Sequence, residues 1–314
     1  MEMQSTRDAY GDALVCLGED NDKIIAMDAD LSVSTQTHKF FKKFPERFVN
    51  VGCAEQNLIG VAAGLAISGK IPYISTYAIF LSRAWEQIRN TIAYDSLNVK
   101  MAVSHSGFTN AADGASHQSL EDIAIMRVIP NMRIIVPADA IETKFAVFYE
   151  STQKGPSYIR LNREKTPIIF DDSYCINDKI ITLREGTDIA IFATGTMVHV
   201  ALEAYDLLKA DNIDSSIINV HTIKPLDANG VVRVAKNCGA VISIEEHSII
   251  GGLGSAISDV LSSEYPVFHI KIGVNDKFGE SGDYKSLLKK HHLNAENVYK
   301  LAKKVLEKKV LSVM

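Results

Sequence analysis

Short apolar runs alternate with helical patterns along this chain, and that rhythm limits its fold more than any other feature. In the first half the runs fall at 24–29, 48–51, 71–77, 99–105, 133–137 and 157–161. Helical patterns at 55–68, 83–94, 120–129 and 140–152 lie between several of them. Near-continuous apolar strands separated by helices require a parallel sheet covered on both faces. Residues 163–187 break the rhythm with Pro167, Asp171, Asp172 and Gly186, as a linker does, although 179–183 have the pattern of a short strand. Strand patterns then resume at 188–194, 216–220, 240–245 and 267–272, with helical patterns at 197–210, 229–237, 254–263 and 295–308. The chain reads as two doubly wound α/β domains, 1–175 and a smaller 176–314, with no internal repeat or low-complexity segment.

The 314 residues, 46% hydrophobic and 23% charged, suffice for two cores. A net charge of -5 without a basic stripe gives no reason to expect nucleic acid. There is no run of about 18 apolar residues to span a membrane, and the polar start lacks the apolar segment of a secretory leader. A cytoplasmic location is expected. Cys16, Cys53, Cys175 and Cys238 are scattered and form no metal-ligand pattern. They read as buried thiols in a reducing compartment, Cys53 having a packing role. Lys303, Lys304, Lys308 and Lys309 alternate with apolar residues as the solvated face of a terminal helix.

Chemistry concentrates at three strand ends. Residues 51–57 (VGCAEQN) place Glu55 beside two amides where a strand hands over to a helix of small residues, and Tyr77, Phe80, Arg83 and Trp85 follow the next strand. A second polar cluster is 28–34 (DADLSVS), and a third runs from Ser104 and His105 to Asp113, His117 and Gln118. The ends of parallel strands share one edge, where open α/β sheets usually carry their sites. Histidine and aspartate in a glycine-rich loop supply donors and acceptors for sugar hydroxyls. Blander readings accompany each: a solvated helix N-terminus for Glu55, structural histidines at 105 and 117, and core packing for Trp85.

The run GCAEQNLIGVAAGLAISGKIPYISTYAIF, then RAWEQIRN, then DGASHQSLEDIAIMRVIPNMRIIVPAD resembles the pyrimidine-binding domain of transketolases. The later segments TDIAIFATGTMV, HTIKPLD and EEHSIIGGLGSAI are similar to the transketolase C-terminal domain. The resemblance covers essentially the whole chain and implies the C-terminal half of a transketolase carried as a separate subunit. It further implies thiamine diphosphate, whose thiazolium C2 must lose a weakly acidic proton. In that family a glutamate bonds N1′ of the aminopyrimidine, and the resemblance places it at Glu55. Burial would favour the protonated carboxyl that this bond needs, and a helix N-terminus would oppose it.

By the same resemblance Phe80 and Tyr77 line the pyrimidine pocket, with Phe80 the better stacking partner, and Asp30 lies on the cofactor side. Arg83 stands where many transketolases have a third aromatic, a departure shared with deoxyxylulose-phosphate synthases. Asp113 and His117 match contacts to substrate hydroxyls, His117 being the second catalytic candidate, and His105 lies near the phosphate. Arg7, Arg160 and Ser34 match further phosphate contacts, where a guanidinium fork suits phosphate oxygens. Ala115 and Ser116 replace the usual residues before the histidine, which alters the acceptor pocket. Gly251, Gly252 and Gly254 could be mistaken for a phosphate cradle. They read instead as close helix packing near a subunit interface, which His247 would face.

Diphosphate binding in this family uses Mg²⁺, with oxygen ligands from a GDG run and a later asparagine. No GDG occurs in this sequence, so this chain offers no metal ligands of that kind. The resemblance therefore implies a second, GDG-bearing polypeptide, a heterotetramer of two plus two chains, and a pocket built at their interface. The expected reaction moves a two-carbon ketol unit from a ketose phosphate to an aldose phosphate. The rivals are the beta subunit of a 2-oxo acid dehydrogenase, a deoxyxylulose-phosphate synthase-like subunit, and a non-catalytic scaffold subunit.

Overall fold

In the computed structural model, which describes residues 2–313 and side chains through residue 308, the apolar runs become strands of two mostly parallel sheets. The strands of the first half are β1 (Met3–Ser5), β2 (Ile24–Asp28), β3 (Phe48–Asn50), β4 (Ile71–Ser75), β5 (Lys100–Val103), β6 (Arg133–Ile135), β7 (Ser157–Arg160) and β8 (Lys165–Pro167). Those of the second are β9 (Ile181–Arg184), β10 (Ile189–Ala193), β11 (Ser215–Asn219), β12 (Thr222–Lys224), β13 (Ala240–Ser248) and β14 (Phe268–Val274). The larger sheet has the order β12-β6-β7-β5-β4-β2-β3, and the smaller β14-β13-β10-β11-β9. β9 and β12 run antiparallel to their neighbours, and β1 pairs with β8 in a separate antiparallel ribbon.

β12 was not expected. It comes from the second half of the chain yet pairs with β6 of the first sheet, Thr222 opposite Ile135, so the two halves are joined through backbone hydrogen bonds. The helix Thr6–Asp20 was also missed. Its buried face holds Tyr10, Leu14 and Leu17, but Thr6, Ala9, Gly11, Ala13 and Gly18 share it, which weakens the apolar period. Gly18 must be small, because a Cβ there would lie 2.5 Å from Phe40. Ser5 caps this helix by accepting the Asp8 N–H at 3.2 Å.

Most of the other expected helices fall within two residues of expectation, and Ala140–Thr152 and Met197–Ala210 match it at both ends, whereas the short helices Ser32–Thr35, His38–Lys43, Ala78–Leu81 and Tyr284–Lys290 were not expected. The pattern at 83–94 is no single helix: it breaks into a 3₁₀ turn, one α turn and the π-helical stretch Ile88–Ala93. The wider turns keep Ile88, Ile92 and Ala93 buried, while Trp85 donates to the Ile125 carbonyl at 2.7 Å and packs on the core. The cysteine expectation needs correction. Only Cys238 is buried; Cys16, Cys53 and Cys175 are exposed free thiols, because each sits on the solvent side of its segment. Lys303, Lys304 and Lys308 are exposed on the terminal helix Ala295–Val313, and the Lys309 side chain lies outside the described residues.

Candidate active site

β2 and β4 are neighbours, and β3 lies beyond β2, so strand order reverses between β2 and β4. Crevices at the carboxyl ends of such a pair are where open α/β sheets bind ligands. Asp28 ends β2 and is buried; it accepts from Leu31 N–H and from the Thr35 and Thr37 hydroxyls at 2.6 and 3.0 Å. Burial nevertheless pushes its carboxyl above the ordinary range. These bonds pin the loop that carries Asp30 and Ser34. Asp30 is exposed, with φ of 63°, and its N–H donates to Asn50.

Glu55 opens the helix Glu55–Ile67 and is buried, and no side chain among the described residues bonds its carboxyl. Gln56 donates to the Arg83 carbonyl at 3.4 Å, tying this helix to the turn after β4. That turn presents an aromatic row. Tyr77 stacks on Phe80 with centroids 5.2 Å apart and on His105 at 3.8 Å, and His117 meets Phe80 edge-on at 5.3 Å. The structure thus brings Tyr77, Phe80, His105 and His117 together, as the strand-end argument requires. Arg83 is exposed and its side chain adds no ring to the row. Asp113 is exposed in the same loop as His117.

His105 is buried and holds a left-handed backbone, φ 58°, which costs a non-glycine residue about 1–3 kcal/mol and is typical of functional positions. Arg7 Nη1 lies 3.4 Å from Nε2, and arginine can only donate, so Nε2 is the acceptor. Nδ1 therefore carries the proton and donates to Ser104 Oγ at 2.8 Å. Arg7 also donates to the Ser34 carbonyl at 2.9 Å. Burial, reinforced by Arg7 and then Arg163, pushes the His105 imidazole down to about 3. An unfolded histidine takes up its proton near pH 6.5, so acid favours the unfolded chain at this residue. Between pH 7 and about pH 5.5 the wild-type chain should lose on the order of 1 kcal/mol more stability than His105→Asn. Urea midpoints of both chains at the two pH values test this, and parallel losses would refute it.

Arg160 requires correction. It is buried, with Nε 2.7 Å and Nη2 3.1 Å from the two oxygens of Asp122, and Nη2 also donates to the carbonyls of Ser119 and Glu246. Burial opposes an ionised Asp122, but Arg160 overrides it and holds the carboxyl below its ordinary range. The guanidinium expected on phosphate is thus committed to the interior. Arg163, which the sequence reading passed over, lies three residues further on. It is exposed, donates to Asn110 Oδ1 at 3.2 Å and acts electrostatically on both Arg7 and His105. The signal available was position: Arg160 ends a strand, whereas Arg163 lies past it. Beside it Arg7 Nε and Asn110 Nδ2 are buried donors without a hydrogen-bond acceptor, as an anion subsite would leave them.

Two variants separate these arginines. Arg163→Ala should raise KM for phosphorylated sugars by one to two powers of ten, from a lost charge-assisted bond of about 1.5–3 kcal/mol. Its effect on unphosphorylated sugars should be small. Arg160→Ala should instead destabilise the chain by about 3–5 kcal/mol, because Asp122 is left buried without its partner. A selective KM effect in Arg160→Ala, with stability intact, would reverse the correction.

His247 also departs from expectation. It is fully buried, 3.7 Å from Glu245, and sits under the Ala124 N–H, so it faces the other half of this chain and not an outer surface. The glycine cluster is filled from within: Glu245 accepts the Leu253 and Gly254 N–H groups at 2.7 and 2.8 Å, occupying that helix N-terminus.

Two family models account for the chain. Residues 2–168 match the transketolase pyrimidine binding domain and residues 178–298 the transketolase C-terminal domain. A Methanocaldococcus jannaschii protein, provisionally named a transketolase C-terminal section, is 45% identical over 96% of this chain and 95% of its own length. A 6-deoxy-6-sulfo-D-fructose transketolase subunit of a Clostridium species is 41% identical over 98% and 97%. Among solved structures, a split-gene transketolase described as an inactive beta4 tetramer superposes with a TM-score of 0.89 at 48% identity, covering 96% of this chain and 98% of that one. The chain belongs to the transketolase family. Within it, the chain corresponds to the C-terminal subunit of a split transketolase, and these relatives do not favour the dehydrogenase, synthase or scaffold alternatives.

Proposed function

We propose that this chain, with an N-terminal GDG-bearing partner, transfers a two-carbon ketol unit from a ketose phosphate to an aldose phosphate. The observation that carries the reading is Glu55: a buried residue with no side-chain partner among the described residues, opening a helix that Gln56 ties to the turn bearing the aromatic row. A group that presents a ring to Phe80 and a nitrogen to Glu55 fits that arrangement, as the aminopyrimidine of thiamine diphosphate does. When bound, that cofactor supplies the carbon nucleophile that holds the two-carbon unit.

Glu55 holds a proton at N1′ of the pyrimidine, Phe80 and Tyr77 orient its ring, and Asp30 flanks the cofactor side. His117 and Asp113 take sugar hydroxyls, with His117 placed to move a proton at the acceptor oxygen. Arg7, Arg163, neutral His105 and Ser34 hold the phosphate, and Arg7 Nε and Asn110 Nδ2 are donors with no hydrogen-bond acceptor, Asp8 being 3.9 Å from the former. The diphosphate end and Mg²⁺ are assigned to the partner. Among the described residues no group of three or more His, Cys, Asp or Glu is placed to hold a metal ion. The assembly proposed is a heterotetramer of two plus two chains in the cytoplasm, with domains 1–175 and 176–314 here. No helix among the described residues is long and apolar enough to cross a membrane.

The test is a parallel assay of the reconstituted complex for ketol transfer between sugar phosphates and for acylation of a lipoyl domain. Ketol transfer alone is the expected outcome. Lipoyl acylation without ketol transfer would replace this reading.

A further inference from the structure

Two sets of hydrogen bonds from the second half of the chain grip the loop from His105 to Gln118, and the His291 ring packs on Phe108 with centroids 4.7 Å apart. Glu246 of β13 is buried and accepts the Phe108 N–H at 2.6 Å. Its other oxygen is fixed by Thr196 Oγ1 at 2.7 Å and Tyr284 Oη at 2.8 Å. Gly107 has φ of 61°, and a Cβ there would overlap the Glu246 carboxylate, so the loop backbone lies directly on this side chain. A carboxylate with all its donors in place is held in one geometry and transmits that geometry to the loop.

The second grip is the segment 279–282. Gln118 donates to the Glu280 carbonyl at 2.8 Å, and the Gly282 N–H donates to the Ala111 carbonyl at 3.0 Å. Gly114, with φ of 78°, could not carry a Cβ without meeting Ser281 Oγ at 2.5 Å. Gly279 faces Gln118 so closely that a Cβ on it would collide with the amide. Asp113 and His117 stand between these anchor points, and His105 lies two residues before the first.

We propose that the second domain positions the substrate loop, with Glu246 and Gly279 as positioning residues for His105 and His117. The inference rests on the proposed function for what the loop binds, but the grip itself is independent of it. A displacement of about 1 Å in a positioned group can cost about 10²-fold in rate, so a loosened loop should act on the acceptor step.

The experiment compares Glu246→Gln, Glu246→Ala and Gly279→Ala with wild type. Hydrogen exchange of amides 105–118 is read on the full chain alone, and ketol transfer on the complex with its partner. Glu246→Ala and Gly279→Ala should speed exchange in the loop about tenfold and lower kcat/KM for the aldose acceptor at least tenfold. Thiamine diphosphate affinity should fall less than the acceptor kcat/KM, because Glu55 lies on another segment and only the Phe80 and Tyr77 rings touch the loop. Glu246→Gln should recover most of both effects, since its carbonyl still accepts the Phe108 N–H and its amide can donate to the two hydroxyls. Gly279→Ala leaves the buried core intact and so still answers if Glu246→Ala fails to fold. Unchanged loop exchange in Gly279→Ala would overturn the grip, whatever the activity. Faster exchange with an unchanged acceptor kcat/KM would overturn the positioning role. Wild-type complex without ketol transfer would instead remove the functional reading and leave the exchange result standing.

Discussion

Glu55→Gln is expected to lower ketol-transfer turnover by about 10²–10⁴-fold, with cofactor affinity reduced far less. Gln keeps the length and planarity of the side chain and can still bond a ring nitrogen. It cannot exchange a proton with that nitrogen, so it cannot favour the tautomer that removes the C2 proton. The structure sharpens this expectation. Glu55 is buried and bonded to no other side chain of the described residues, so its replacement disturbs no internal network. A stability loss is therefore not the expected cause of lost activity. The measurement is turnover of the reconstituted mutant complex beside proton exchange at cofactor C2. Near-normal C2 exchange in Glu55→Gln would remove the role given to this residue.

The aromatic row and the two histidines were legible in the sequence because parallel strands deliver their carboxyl ends to one edge. Residues just past β4 and β5, such as Tyr77 and His105, had to become neighbours once those strands paired. Glu55 was legible for a similar reason, at the start of a helix following β3. The arginines were not. Arg160 and Arg163 are three positions apart, and only the place of Asp122, 38 residues upstream of Arg160, shows which one is turned inward. The helix Thr6–Asp20 hid because glycine, alanine and threonine share its buried face with Tyr10, Leu14 and Leu17. β12 hid because three residues carry too little pattern to reveal a strand, still less one added to the other domain's sheet. The grip of Glu246 on Phe108 spans 138 residues, and no local period encodes such a contact.

The isolated chain is expected to fold but to bind thiamine diphosphate with Mg²⁺ weakly and to transfer nothing. One buried apolar core runs from the larger sheet into the smaller and a second packs on the smaller sheet, all from residues of this chain, so folding does not wait for a partner. In the proposed reading Glu55, Phe80 and Tyr77 form the pyrimidine end of the site. A diphosphate, however, carries charge that needs a metal and oxygen ligands, and the sequence has no GDG run to supply them. Adding the GDG-bearing subunit should bring cofactor binding and activity back together, because both depend on the same completed pocket. Titration calorimetry of thiamine diphosphate with Mg²⁺ into the chain alone, and then into its mixture with the partner, tests this most directly. The split-site account predicts little heat from the chain alone and tight, Mg²⁺-dependent binding by the mixture. Tight, Mg²⁺-dependent binding by the chain alone would contradict it.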